Sequence, residues 1–299
     1  MQFPSAEELR AFLREERKDL FLIFSVPAFL FFVYYLPSEI KEAFVLHLEF
    51  TNLADLYMAN FVHFTPDHIL KNAFIYAFSA LLACALLYLT SKENKLFLKI
   101  FLINLTAVPL LLSFFQFFVF NRIPLWAAHR SFGFSGIASA FLGSLVFSCI
   151  LILERNIKIK TICPAVSCLI TALSLLFAGL YVKDYTLILS TSAVLVITFA
   201  LFTAKFCSAE RPSDKKKREL FCCSLLVYIL TVIFCLPLFP TVFRHDGEGI
   251  NIPLHYLGFI FGLTAGMGVK PMQMAPLLRK ERPRLASQRL KVSQRKHLN

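Results

Sequence analysis

Long apolar runs alternate with short charged stretches along this chain, and that alternation organises it. Eight runs approach or exceed the roughly 20 apolar residues needed to cross the hydrocarbon of a bilayer. They lie at 20–36, 68–90, 97–120, 135–153, 161–181, 185–207, 220–240 and 253–271. A segment in lipid must satisfy its own backbone polar groups, so each run is expected to be a helix. The predicted fold class is an all-α integral membrane bundle over 20–271, with an arm at 1–19 and a basic tail at 272–299. In the arm, Ser5 and Glu8 have capping-box spacing and charges of both signs follow, which predicts a short helix in water. The segment between the first two runs, 37–67, is itself rather apolar ("AFVLHLEF", "LYMANFVHF") and is expected to lie in the membrane interface.

Composition agrees with this pattern. Of 299 residues, 57% are hydrophobic, including 34 phenylalanines, which is far above a soluble domain. Residues 1–19 are too charged for a cleavable signal peptide. The net charge of +12 would suit nucleic acid, but its distribution points to lipid. With the N-terminus inside, the inner segments (counting Lys205 at the inner end of its run) hold 24 of the 31 Lys and Arg residues. The outer segments hold five: Lys41, Arg122, Arg130, Lys183 and Arg244. That asymmetry sets both termini in the cytosol of a multi-pass protein of the cell membrane, and it leaves nucleic acid without a footprint. The tail is expected to be disordered or to lie on anionic lipid. The eight cysteines show no disulfide or zinc spacing.

Polar residues within membrane helices are functional candidates by default. Ser135 begins the fourth run, His68 and Asn72 begin the second, and His255 begins the eighth. These three runs all pass from outside to inside, so the polar groups share one depth near the outer face. His68 and Asn72 are i, i+4 and share a helix face. From Ser135, steps of four reach Ser139 and Gly143, with Gly136 and Ala140 on the adjoining stripe. From His255, steps of three and seven reach Gly258 and Gly262. Small-residue faces let membrane helices approach closely. The two helices are therefore expected to press together and bring the His255 imidazole to the Ser135 hydroxyl. A serine so paired is an activated nucleophile, with histidine moving its proton. Asn72, His68 and the Ser135 backbone N–H are the candidate oxyanion donors.

Singly, each signal has an ordinary alternative. Ser135 could pack helices, and His68 with Asn72 could make interhelical hydrogen bonds. His63, His68 and Asp67 imitate a metal cluster but lack a His-Glu-x-x-His pattern, and no metal or cofactor is expected. His245, Asp246 and Glu248 read as a solvated turn, and Trp126, His129 and Arg130 as interfacial anchoring. A channel or transporter would want charges in mid-membrane. Lys71 lies beside the site, and Lys99, three residues into its run, can snorkel to the inner surface.

Taken together, His68-x-x-x-Asn72, Gly133-x-Ser135-Gly136 and His255-x-x-Gly258-x-x-x-Gly262 resemble the motifs of the rhomboid intramembrane serine proteases. The stretch "NFVHFTPDHILKN" also looks like that family's approach to its second helix. The resemblance covers roughly 20–153 and 220–271. It implies a six-helix core plus two extra transmembrane helices. It implies Ser135 as nucleophile and His255 as base, with His68 and Asn72 at the oxyanion hole. The implied reaction is peptide hydrolysis in or near the outer end of a substrate's transmembrane helix, without metal or cofactor. The partners so implied are single-pass or multi-pass membrane proteins and the bilayer; oligomeric state is left open. Two features depart from the family pattern. Three runs, not one, separate the serine and histidine helices, and 161–181 with 185–207 are taken as the insertion. That leaves 220–240, with Pro237 and Pro240, as the usual fifth helix and a lateral gate. In addition, Ser139 stands where many members carry an aromatic that stacks on the histidine. That replacement keeps a second expectation in view: a catalytically silent relative that binds transmembrane helices.

Overall fold

The long helices of a computed structural model begin and end within about four residues of the apolar runs. It describes residues 6–47, 52–91, 94–119, 130–157 and 253–269, with residues 186, 189–190, 193, 244–245 and 248–249. The described chain is mostly helical. Helix α1 (Ala6–Glu15) realises the arm, and α2 (Arg17–Tyr34) takes up the first run three residues early. The apolar segment that follows holds α3 (Ser38–Ala43), β1 (Leu46–His47), α4 (Leu53–Met58) and a 3₁₀ turn (Ala59–Phe61). Asn52 caps α4 in a reciprocal box with Asp55, at 3.0 and 3.1 Å. Next come α5 (Pro66–Ser91), α6 (Asn94–Phe118), β2 (Arg130–Ser131) and α7 (Ser135–Ile157). Helix α5 begins two residues before its run because Pro66 suits the first helical turn, where no N–H is needed. A short hairpin of β3 (Arg244–His245) and β4 (Glu248–Gly249) precedes α8 (Pro253–Val269). The expected helices 161–181 and 220–240, the lateral gate and the tail lie outside the described residues, as does 185–207 apart from 186, 189–190 and 193, which are helical.

Two helices, Pro66–Tyr88 within α5 and Leu96–Phe118 within α6, are long and apolar enough to cross a membrane. Helix α7 is the centre. From Phe134 to Cys149 every residue except half-buried Ser135 is buried, as expected of a helix apolar all round. Helices α5, α6 and α8 pack about it, and α2 packs on α5. The outward faces carry Phe21, Phe24 and Phe32 on α2, Phe74 on α5 and Phe114 on α6, all exposed. Large aromatics facing outward over several helices suit lipid and would be a liability in water.

Two helix prolines each meet a tyrosine. A proline lacks an N–H and so frees the carbonyl four residues earlier. Pro27 in α2 frees Ile23, whose oxygen accepts from the Tyr76 hydroxyl of α5 at 3.1 Å. Pro109 in α6 frees Leu105, whose oxygen accepts from the Tyr57 hydroxyl at 2.7 Å.

The segment between α2 and α5 is tied down rather than loose. Strand β1 pairs antiparallel with β2, Leu46 opposite Ser131 and His47 opposite Arg130. Buried Lys41 donates from Nζ to the carbonyls of Tyr34 (3.1 Å) and His63 (3.4 Å), and lies over the rings of Tyr34 and Phe64. Asn60, also buried, donates to the Ser113 hydroxyl at 2.9 Å and so joins the 3₁₀ turn to α6.

Candidate functional site

The site starts at a glycine whose backbone no other residue adopts easily. Gly133 has φ +109°, and a Cβ there would lie 2.9 Å from Cε1 of His68. Strain and steric conflict both require glycine at this position. Its N–H donates to the Ala59 carbonyl at 2.9 Å, fixing the turn that leads into α7. The half-buried His68 ring thus lies against the backbone two residues before Ser135.

Ser135 is the first residue of α7. The first N–H groups of a helix lack intrahelical acceptors, so the Ser135 N–H is free of that duty. The carbonyl of Ser135 accepts from the Ser139 hydroxyl at 2.8 Å, and Ser139 is fully buried. The position where an aromatic would stack therefore holds a small side chain turned back on its own helix.

The small-residue stripes of α7 and α8 meet backbone to backbone. A Cβ on Gly258 would collide with the carbonyl oxygen of Gly136, one on Gly262 with that of Ala140, and one on Gly143 with that of Phe259. A Cβ on Gly136 would come within 3.5 Å of the Leu254 carbonyl. Leu254 and Gly258 of α8 therefore both lie against Gly136. Ser135 and His255 each adjoin these contacting residues in sequence, and His255 is buried. Lower in the same seam, Asn104 of α6 donates to the Ser144 hydroxyl at 2.8 Å. Ser144 directs its single hydrogen between the carbonyls of Ala140 (3.0 Å) and Gly262 (3.1 Å).

His63, which the sequence offered only as a false metal cluster, is at the centre of the polar contacts. It is fully buried. Its Nδ1–H donates to the Phe61 carbonyl at 3.2 Å, and that bond sets the tautomer. Its Nε2 then accepts from the Asn72 amide at 2.9 Å and from the Phe134 N–H at 3.4 Å. Asn72 is thereby joined through one imidazole to the Gly133–Phe134 peptide, one before that of Ser135. His63 and His68 also meet edge to face, with ring centroids 5.0 Å apart. The signal for His63 was its spacing, five residues before His68 and nine before Asn72 across the Thr65–Pro66 helix start. Lys71 and Asp67 form an exposed i, i+4 pair at 2.6 Å on the outward face, away from this network.

Burial, helped by the neighbouring His68 and Lys41 charges, pushes the His63 imidazole from 6.5 down to about 3, against a smaller opposing effect of the Phe61 carbonyl. The folded state thus refuses a proton that the unfolded chain accepts. Between about pH 6.5 and 3 the unfolded state binds more protons, so stability present above that window falls as pH falls through it. The slope approaches about 1.4 kcal/mol per pH unit at its steepest. In detergent, the midpoint of heat unfolding is expected to drop across this window, and to drop less steeply in His63→Gln. Equal slopes in the two proteins would remove His63 as the cause.

Among the described residues, then, one end of the bundle gathers His68, Asn72, Gly133, Gly136, Gly258 and His63 about the start of α7. Trp126 and His129 lie outside the described residues. In comparisons with protein-family models, curated proteins and solved structures, nothing matches this chain.

Proposed function

We propose that this chain is an intramembrane serine endopeptidase of the rhomboid type, with a Ser135–His255 dyad working near the outer face of a cell membrane. The observation that carries this reading is the seating of Leu254 and Gly258 against Gly136, which sets the histidine-bearing turn beside the serine-bearing one. The outward aromatic faces and the two apolar helices support a membrane location. A six-helix core with 161–181 and 185–207 inserted is the architecture that goes with it.

In the proposed reaction the Ser135 Oγ attacks the scissile carbonyl carbon while its proton passes to His255. The carbonyl oxygen becomes an oxyanion. Its donors would be the Ser135 N–H, the His68 ring and the Asn72 N–H that His63 does not take, since a primary amide carries two. Collapse breaks the C–N bond as His255 returns the proton to the leaving amine. A water then attacks the acyl-serine ester, giving its proton to His255, and the Ser135 hydroxyl re-forms as the carboxyl product leaves. The substrate helix must unwind locally to present that carbonyl, because its peptide groups otherwise satisfy each other.

Fluorophosphonate labelling of membranes containing the protein tests this, with Ser135→Ala and His255→Ala alongside. A second reading, a silent relative that holds transmembrane helices, draws on the Ser139 hydroxyl turned to the Ser135 carbonyl where a stacking ring is absent.

A further inference from the structure

The opposite end of the bundle holds a second cluster of ligating side chains. Glu16 precedes α2, Asp19 lies three residues on, and both face Cys84 near the far end of α5. One ligand atom from each lies within 4.8 Å of those from the other two. All three residues are buried, at 2%, 8% and 2% exposure. Among the described residues neither carboxyl has an ion-pair partner, and the buried Glu16 Oε1 has no hydrogen-bond partner. Two carboxyl groups facing each other out of water need either a shared proton or a cation between them, since an unpaired buried charge is very costly. Exposed acidic groups often cluster without a ligand; these are buried, and one of their oxygens is orphaned.

We propose that Glu16, Asp19 and Cys84 form a binding site for a divalent cation of the zinc class. The donor set selects the ion. Magnesium and calcium take oxygen ligands only, whereas a thiolate beside two carboxylates suits zinc or cobalt. Bonds of about 2.0–2.3 Å in a tetrahedron set ligand atoms about 3.3–3.8 Å apart, so closing on the ion takes about 1 Å of side-chain adjustment. The fourth position is left for water. Binding deprotonates the Cys84 thiol, and that proton leaves to solvent as the S–metal bond forms. The site would clamp the α1–α2 junction to α5, about 24 Å along α5 from His68 at 1.5 Å per residue. It is independent of the peptidase reading.

The test uses the full chain in detergent, stripped by chelator and titrated with Co²⁺ alone, then with Zn²⁺. One equivalent of Co²⁺ is expected to raise a thiolate-to-metal charge-transfer band in the near ultraviolet, which Zn²⁺ then abolishes. Cys84→Ser should lose the band. Glu16→Gln, which keeps the side chain's size, should weaken binding by more than about a hundredfold, beyond the loss of an outer partner. If Cys84→Ser fails to fold by its elution, Glu16→Gln carries the comparison. No band in the wild type, the same band in folded Cys84→Ser, or unchanged affinity in Glu16→Gln would each overturn the site. The carboxyl pair would then be held by a shared proton only.

Discussion

Ser135→Ala is expected to abolish fluorophosphonate labelling and to lower cleavage of a membrane substrate by about 10³-fold or more, a floor well under the roughly 10⁶-fold that loss of the nucleophile costs in a soluble serine protease. His255→Ala should match it, because without a base the hydroxyl is no better than bulk alcohol. The two losses should not add. A double variant is expected to be no worse than either single one, since nucleophile and base act as a unit. Labelling that survived Ser135→Ala would place the reactive serine elsewhere. Labelling lost in Ser135→Ala but kept in His255→Ala would break the dyad. A folded wild type that stays unlabelled over several pH values and lipids would favour the silent helix-binding reading, and Ser139 would become the first position to convert to an aromatic.

The second large effect is structural. Gly262→Ala is expected to destabilise the protein by about 3 kcal/mol or more, the upper range for overpacking. Helix propensity alone argues for the reverse sign, since alanine gains up to about 1 kcal/mol over glycine. The obstacle decides the matter. A methyl on Gly262 meets the Ala140 carbonyl, which is backbone and cannot swing aside. Helices α7 and α8 must separate, and the Ser144 bond to Gly262 goes with them. Gly268 is the control, because a Cβ there meets nothing within 4 Å. Gly268→Ala is expected to be neutral or mildly stabilising. Denaturant or heat unfolding in detergent reads both. A Gly262→Ala midpoint at or above wild type would mean that the seam yields.

The seam between α7 and α8 was legible because helices in close contact leave a periodic trace. Gly258 and Gly262 fall one helical turn apart, and so do Gly136 and Ala140. The helix starts at Pro66 and Ser135 were legible to within two residues, since the apolar runs begin there. His63 was not legible in its role. Its partners are the Phe61 carbonyl, the Asn72 amide and the Phe134 N–H, and two of these are common backbone groups that no spacing advertises. The surroundings of Lys41 were not legible either. It was counted only among the charges between the first two runs, and it is buried among carbonyls and rings, with its long chain packed and its head paired. The short elements between α2 and α5 escaped because an apolar loop held by capping and by a two-residue strand pair has no period to detect.

The tyrosine hydroxyls that answer the two prolines bear on how the protein is made. Ile23 on α2 finds its donor only 53 residues later in the chain, on α5, and Tyr57 precedes the Leu105 carbonyl by 48. A lone α2 delivered into lipid would carry a naked carbonyl at Pro27, a defect of several kcal/mol. On the proposed membrane reading, release from the insertion machinery would favour α2 and α5 leaving together as a hairpin, with the bond between them formed before lipid closes around either. On that reading, the same prolines that loosen each helix would set an order of assembly during synthesis, with α6 joining once Tyr57 is in place to receive it.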